Sequence, residues 1–242
     1  MFTRMFKLAT LISAIAISSI SYADDAEKKV IFDSPQELLL AASEVKTKFE
    51  EGVHYTVLRN SQLSQKKEVR EFFSFFCGHC HAFLPIIRQV SMALPEDVAF
   101  VGNHVKFLGG PMGVEMQRAY ASAVNLRVIE PFTDKVDDNF FNKHKVAQNH
   151  EDVVKIFEEI GISKEMFEAQ YKSFPVMSAV SRYDQLSEDT GIEGVPTVVV
   201  NNKYKVLTEK INGTDEYMAL INYLLSLDKD YYASGASSSK HE

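Results

Sequence analysis

The 242-residue chain contains two cysteines, two residues apart in Phe76-Cys77-Gly78-His79-Cys80-His81. A bridge across so small a gap restrains little of the unfolded chain, because cross-link stabilisation grows with the loop closed. Sulfurs at this spacing suit chemistry better: a thiolate attacks a disulfide, and a neighbouring thiol resolves the mixed product. The attacking sulfur needs a lowered pKa. Cys77 stands between an apolar run and a helical pattern. It is therefore expected at a helix N-terminus, where unpaired N–H groups and the helix dipole favour negative charge. His79 can hydrogen-bond or pair with a Cys77 thiolate, and Cys80, one turn on, brings an S–H donor. A thiolate stabilised in this way stabilises the reduced state and makes the oxidised protein the stronger oxidant. The expected order has Cys77 as the exposed attacking sulfur and Cys80 as the buried resolving one.

Other chemistries compete for these residues. Cys77-Gly-His-Cys80-His81 matches the C-x-x-C-H attachment motif of c-type haem. It lies well inside the chain, directly after a core strand, and no particular methionine offers itself as second axial ligand. Both cysteines with His79 or His81 could hold zinc, but the second, separated ligand pair of a structural zinc site is missing. An inert disulfide is the last alternative.

The elements that must position the pair are legible. Val69-Arg-Glu-Phe-Phe-Ser-Phe-Phe76 reads as a central strand covered on both faces, interrupted only by the charges of Arg70 and Glu71 and by Ser74. A helix is expected from Cys77 to about Leu94, kinked or interrupted at Pro85. Val98–Phe107 reads as a strand, His54–Leu58 as a short one, and Thr197–Val200, Asn201-Asn202 and Tyr204–Leu207 as strand, turn and strand. Between them Val114–Asn125, Pro131–His144, Glu151–Ile160, Lys164–Lys172 and Val176–Thr190 have helical periodicity, with Gly161 and Gly191 at C-cap positions. Thr214 is expected to cap a last helix, Asp215–Leu227, and Ser34–Ser43 is helix-like. The implied fold is α/β, a mixed sheet with an inserted all-helical subdomain.

Arg4 and Lys7, the apolar run Leu8–Ile17, and Ser21-Tyr22-Ala23 have the pattern of a secretory signal peptide cleaved after Ala23. The run is shorter than the roughly 20 apolar residues that span a bilayer. The net charge of −7 shows no basic excess for nucleic acid. Export also favours disulfide chemistry. In Gly194-Val195-Pro196-Thr197 a proline opens a strand, the one kind of position where a cis bond costs little.

Glu71-Phe-Phe-Ser-Phe-Phe-Cys-Gly-His-Cys80, with His104-Val-Lys-Phe-Leu-Gly-Gly110 and the distant Gly194-Val-Pro-Thr197, resembles the DsbA family of thioredoxin-fold periplasmic oxidases. The likeness runs from Phe49-Glu-Glu-Gly-Val-His-Tyr55 to Leu227. It implies a thioredoxin-like domain at 24–110 and 191–228 and a helical insertion at 111–190, to which this chain adds the signal peptide at 1–23 and, as a departure from the family, an N-terminal extension at 24–50. A disordered tail at 229–242 completes the layout. It further implies that Cys77 forms the mixed disulfide, that Cys80 resolves it, and that Glu71 is a buried acid tuning proton transfer at Cys80. Val195 and Pro196 would form a cis-proline loop whose Val195 backbone binds extended substrate.

The partners implied are unfolded or newly exported cysteine-containing proteins and a DsbB-type membrane reoxidase, with no cofactor, metal or nucleic acid; the expected state is a periplasmic monomer. Two positions depart from the family pattern: Gly78 replaces the usual proline, as in protein disulfide isomerases, and Gly102 stands where a lysine is frequent. A disulfide isomerase or reductase with the same dithiol is the alternative enzyme. The roughly 30 residues between Ala23 and Tyr55 are too few for the N-terminal dimerisation domain of DsbC-type isomerases. A groove capturing unfolded chains without chemistry is the non-enzymatic reading, but binding alone does not require the paired cysteines.

Overall fold

The computed structural model describes residues 48–234. The segment 1–23 read as a signal peptide, the helix-like segment Ser34–Ser43 and residues 235–242 lie outside the described residues.

Five strands form one mixed sheet. In chain order they are β1 (Tyr55–Val57), β2 (Glu68–Phe73), β3 (Ala99–His104), β4 (Thr197–Val200) and β5 (Tyr204–Val206). They lie side by side as β1-β5-β4-β2-β3. β2 pairs parallel with β3, and β4 antiparallel with β2 and β5. Parallel neighbours need a crossover, and α1 (Gly78–Ala93) supplies it.

Strand alternation sends neighbouring side chains to opposite faces. Val198 and Val200 pack with Ile87 and Val90 of α1 and with Leu220, Ile221 and Leu224 of α7 (Gly213–Leu227). Val199 and Phe72 pack on the other side with Leu186, which belongs to α6 (Phe174–Asp189). A strand buried on both faces reads as an unbroken apolar run, as Val198–Val200 does after Thr197.

Between β3 and β4 lie α2 (Pro111–Asn125), α3 (Ile129–Asp137), α4 (His150–Glu159), α5 (Lys164–Tyr171) and α6. The phenylalanines of this block stack in series: Phe132 on Phe157 at 4.7 Å, and Phe157 on Phe167 at 4.2 Å. Asn149, Ser163 and Ser173 cap α4, α5 and α6 by accepting a backbone N–H. Gly161 and Gly191 take positive φ just past helix ends, the left-handed conformation a glycine C-cap allows.

Several expectations change in detail. α1 runs through Pro85 without interruption. β2 ends at Phe73, because the Phe75 N–H bonds the His104 ring instead of a neighbouring strand. The helix expected over Pro131–His144 is α3 followed by a π-helical turn, Asp138–Asn142. α7 starts at Gly213 with Asn212 at its N-cap, so Thr214 is a first-turn residue and not the cap. The tail expected to be unstructured from residue 229 begins with α8 (Lys229–Ala233), where the Tyr232 hydroxyl lies 3.1 Å from Ser64 Oγ. That contact anchors the segment to the loop before β2.

Candidate active site

Cys77 is the N-cap of α1 in extended backbone conformation, and its Sγ accepts the Cys80 N–H at 3.2 Å. This is the role a serine or aspartate oxygen plays at most helix starts. Here it puts a sulfur where unpaired donors and the helix dipole favour negative charge. The turn leading into it is fixed by three bonds: Cys77 N–H to Ser74 O, Phe76 N–H to Ser74 Oγ, and Phe75 N–H to His104 Nε2 at 3.1 Å. His104 is fully buried, and burial holds its pKa at about 3. It is therefore neutral and able to accept. Gly109, at φ +83°, permits the close fit of the Phe76 ring, since a Cβ there would lie 2.4 Å from it.

Both cysteines are free thiols, 8% and 6% exposed. The expected contrast between an exposed and a buried sulfur is thus absent: the loop before β4 covers Cys77, whose Sγ donates to the Val195 carbonyl at 3.3 Å. Environment distinguishes the two instead. Burial, reinforced by the thiol's hydrogen bond to Cys77 and the nearby Glu71, pushes the Cys80 thiol far up, against a smaller opposing effect of the Ser74 backbone.

Glu71 is buried in the middle of β2, beside Gly102 of β3 and Val198 of β4. Desolvation raises its carboxyl to about 8. The carboxyl has no hydrogen-bond partner among the described residues; it lines a cavity of about 340 Å³ that Cys80 lines too. A carboxyl that burial keeps protonated at neutral pH and a thiol that resists ionisation thus line one cavity.

The peptide bond Val195–Pro196 is cis, and Thr197 Oγ1 closes the loop on Gly194 O at 2.8 Å. The Val195 N–H has no partner among the described residues. The sheet thus brings together Cys77, Cys80, Glu71, Val195 and Pro196, drawn from two stretches more than a hundred residues apart. His79 is in the first turn of α1 but exposed, and its ring makes no hydrogen bond among the described residues. The bond expected from it to Cys77 is made by the Cys80 amide instead.

Sequence reasoning missed His104 as a site residue; it closes β3, whose mixed sequence Ala-Phe-Val-Gly-Asn-His and partly exposed side chains single out no position. Sequence reasoning also missed Tyr120 and the pair His81–Asp137. The virtual Cβ of Gly102 lies 2.0 Å from the Tyr120 hydroxyl oxygen, so the tyrosine occupies the space a lysine side chain would need. Among the described residues no group of three or more His, Cys, Asp or Glu side chains could hold a metal ion, and no helix is long and apolar enough to cross a membrane.

A dithiol at the start of the helix after a central strand, faced by a cis-proline loop ahead of an antiparallel strand, defines a thiol:disulfide oxidoreductase with a thioredoxin-like fold and an inserted helical domain. Residues 119–224 match the DSBA-like thioredoxin domain family. The thiol:disulfide interchange protein DsbA of Escherichia coli O6:H1 is 36% identical over 175 residues, 70% of this chain and 82% of the relative. That of Pectobacterium carotovorum is 31% identical over 198 residues, 78% and 94% of the two chains. Among solved structures, Proteus mirabilis DsbA with the non-covalently bound peptide PWATCDS superposes with TM-score 0.69 at 30% identity, over 74% of this chain and 98% of that one. Pseudomonas aeruginosa DsbA gives TM-score 0.68 at 28% identity, over 76% and 97%. The chain belongs to the DsbA family.

Proposed function

We propose that this oxidoreductase is a periplasmic dithiol oxidase that passes a disulfide from Cys77–Cys80 to newly exported cysteine-containing proteins. A DsbB-type membrane protein then reoxidises it. The observation that carries the reading is the asymmetry of the pair: Cys77 Sγ receives an amide at a helix N-terminus, while the Cys80 thiol is held protonated by burial.

A substrate thiolate attacks Cys77 Sγ of the oxidised pair, the S–S bond breaks, and Cys80 leaves. Its thiolate is disfavoured, so it takes the proton of the Glu71 carboxyl. A second substrate thiolate then attacks the substrate sulfur of the mixed disulfide and expels Cys77 as a stabilised thiolate. Val195, with its N–H free, pairs with extended substrate beside the sulfur, as in strand addition. The peptide on Proteus mirabilis DsbA supports a peptide-binding face, and the secretory pattern of residues 1–23 supports export.

The deciding measurement is the potential of the Cys77–Cys80 couple in a glutathione buffer. A value well above the roughly −270 mV of thioredoxin is expected; a thioredoxin-like value would assign the protein to reduction instead.

A further inference from the structure

We propose that His81, oriented by Asp137, is the relay through which the proton exchanged between Cys80 and Glu71 reaches solvent. The inference rests on the dithiol reading above and extends it to a residue outside the cysteine pair and the proline loop. Cys80 and Glu71 are only 6% and 7% exposed, so neither exchanges protons freely with bulk water, and each turnover leaves one of them a proton short. They share the 340 Å³ cavity between α1 and the helical insert. At about 30 Å³ per molecule, that volume has room for about ten waters.

His81 lines the same cavity. Its Nδ1 lies 2.6 Å from Asp137 Oδ1, and its ring stacks on Phe141 at 4.2 Å and 13°. Two contacts from the insert therefore fix a side chain that belongs to α1. A carboxylate at Nδ1 holds the proton there and leaves Nε2 as the exchanging nitrogen. The His81 side chain is 37% exposed and that of Asp137 23%, so the pair stands at the boundary between cavity and solvent.

The other titratable and charged groups facing this space are accounted for. Arg88 of α1 is paired with Asp134 of α3. Tyr120 of α2 and Tyr183 of α6 are phenols that burial keeps protonated. Glu130 of α3 is an exposed acid without the orienting contacts that His81 has. Among the described residues His81 is the one imidazole lining the cavity, a side chain that serves as general acid and general base alike. When Cys80 leaves the disulfide, the Glu71 proton moves to its sulfur. Protonated His81 then returns one through the cavity to the Glu71 carboxylate and is itself reprotonated from solvent. Reoxidation runs the same path in reverse.

The test follows reduction of the oxidised protein by glutathione in stopped flow, for wild type, His81→Ala, His81→Phe and Asp137→Asn. Removing the relay is expected to slow the step near pH 7 by about tenfold or more. Added imidazole, entering the space left by His81→Ala, is expected to restore most of the rate. His81→Phe keeps the stacking surface and is expected to stay slow, and Asp137→Asn to be slowed less. An unchanged rate in both His81 variants, or slowing that imidazole does not relieve, overturns the proposal. Glutathione reads this step in any dithiol protein, so a thioredoxin-like potential would overturn the oxidase reading while leaving the His81 result interpretable.

Discussion

The thiol of Cys77 donates to the carbonyl oxygen of Val195 at 3.3 Å, across 118 residues of sequence. Substrate must approach the same sulfur, so the Val195 loop meets whatever Cys77 attacks or is attacked by. With the Cys80 amide donating to Cys77 Sγ and the Cys80 thiol held protonated by burial, the two sulfurs lie in unequal environments. Cys77→Ser is expected to lose all disulfide transfer. Cys80→Ser is expected to accumulate mixed disulfides through Cys77, detectable as adducts on non-reducing gels that thiol reductants release. Adducts on the Cys77→Ser protein through Cys80 would reverse the order.

Glu71 couples the site to stability. Its carboxyl titrates at about 8 in the fold against a reference value of 4.5. The folded state thus holds a proton that the unfolded chain has released, and stability is fully present below about pH 4.5 and lost as pH rises toward 8. The slope is about 1.4 kcal/mol per pH unit for one proton. Glu71→Gln keeps the shape without the titration. In denaturant titrations it is expected to be more stable than wild type by roughly 3 kcal/mol at pH 7, with the difference vanishing near pH 4.5. Parallel pH profiles for the two proteins would show that Glu71 is ionised in the fold.

What the sequence made legible follows from how local each cause is. The run Val69–Phe76 announces a strand buried on both faces, and Cys77 announces a helix start, because each signal lies within a few residues. Glu71 was conspicuous as a charge in an apolar strand. His104 holding the Phe75 amide, Tyr120 lying over Gly102 and Asp137 orienting His81 are contacts between segments 18 to 56 residues apart. No periodicity or cap motif encodes them. The cover over Cys77 is illegible in the sequence for the same reason, since it arrives from the far end of the domain. His79 was expected to bond Cys77, but a backbone amide that sequence types cannot reveal takes that place.

Gly78 can be tested as a determinant of potential without disturbing the fold. It is the first helical residue of α1, a Cβ there meets no atom within 4 Å, and its N–H has no partner among the described residues. Cys77 before it has φ −105° and ψ 108°, the extended region that a following proline requires. Gly78→Pro is therefore expected to fold, and to gain about 0.4–1 kcal/mol by restricting the unfolded chain. Chemical denaturation gives the stability and glutathione equilibration the potential. A potential equal to that of wild type would remove Gly78 from the list of determinants.

Gly102 answers a different steric demand. A Cβ at this position would lie 2.0 Å from the Tyr120 hydroxyl oxygen, 2.9 Å from Tyr120 Cζ and 3.3 Å from Phe73 Cε1. Tyr120 is buried in the core of the insert, packed edge-on to Phe73 at 5.0 Å, and cannot swing into solvent. Gly102→Ala is expected to cost about 1–3 kcal/mol through overpacking. Tyr120→Phe removes the atom that clashes most, so Gly102→Ala with Tyr120→Phe should be less destabilised than the single costs added together. Denaturant midpoints of the four proteins in this cycle give the coupling directly. A coupling near zero would mean that Tyr120 yields freely, and that the space beside Glu71 is open to a larger side chain.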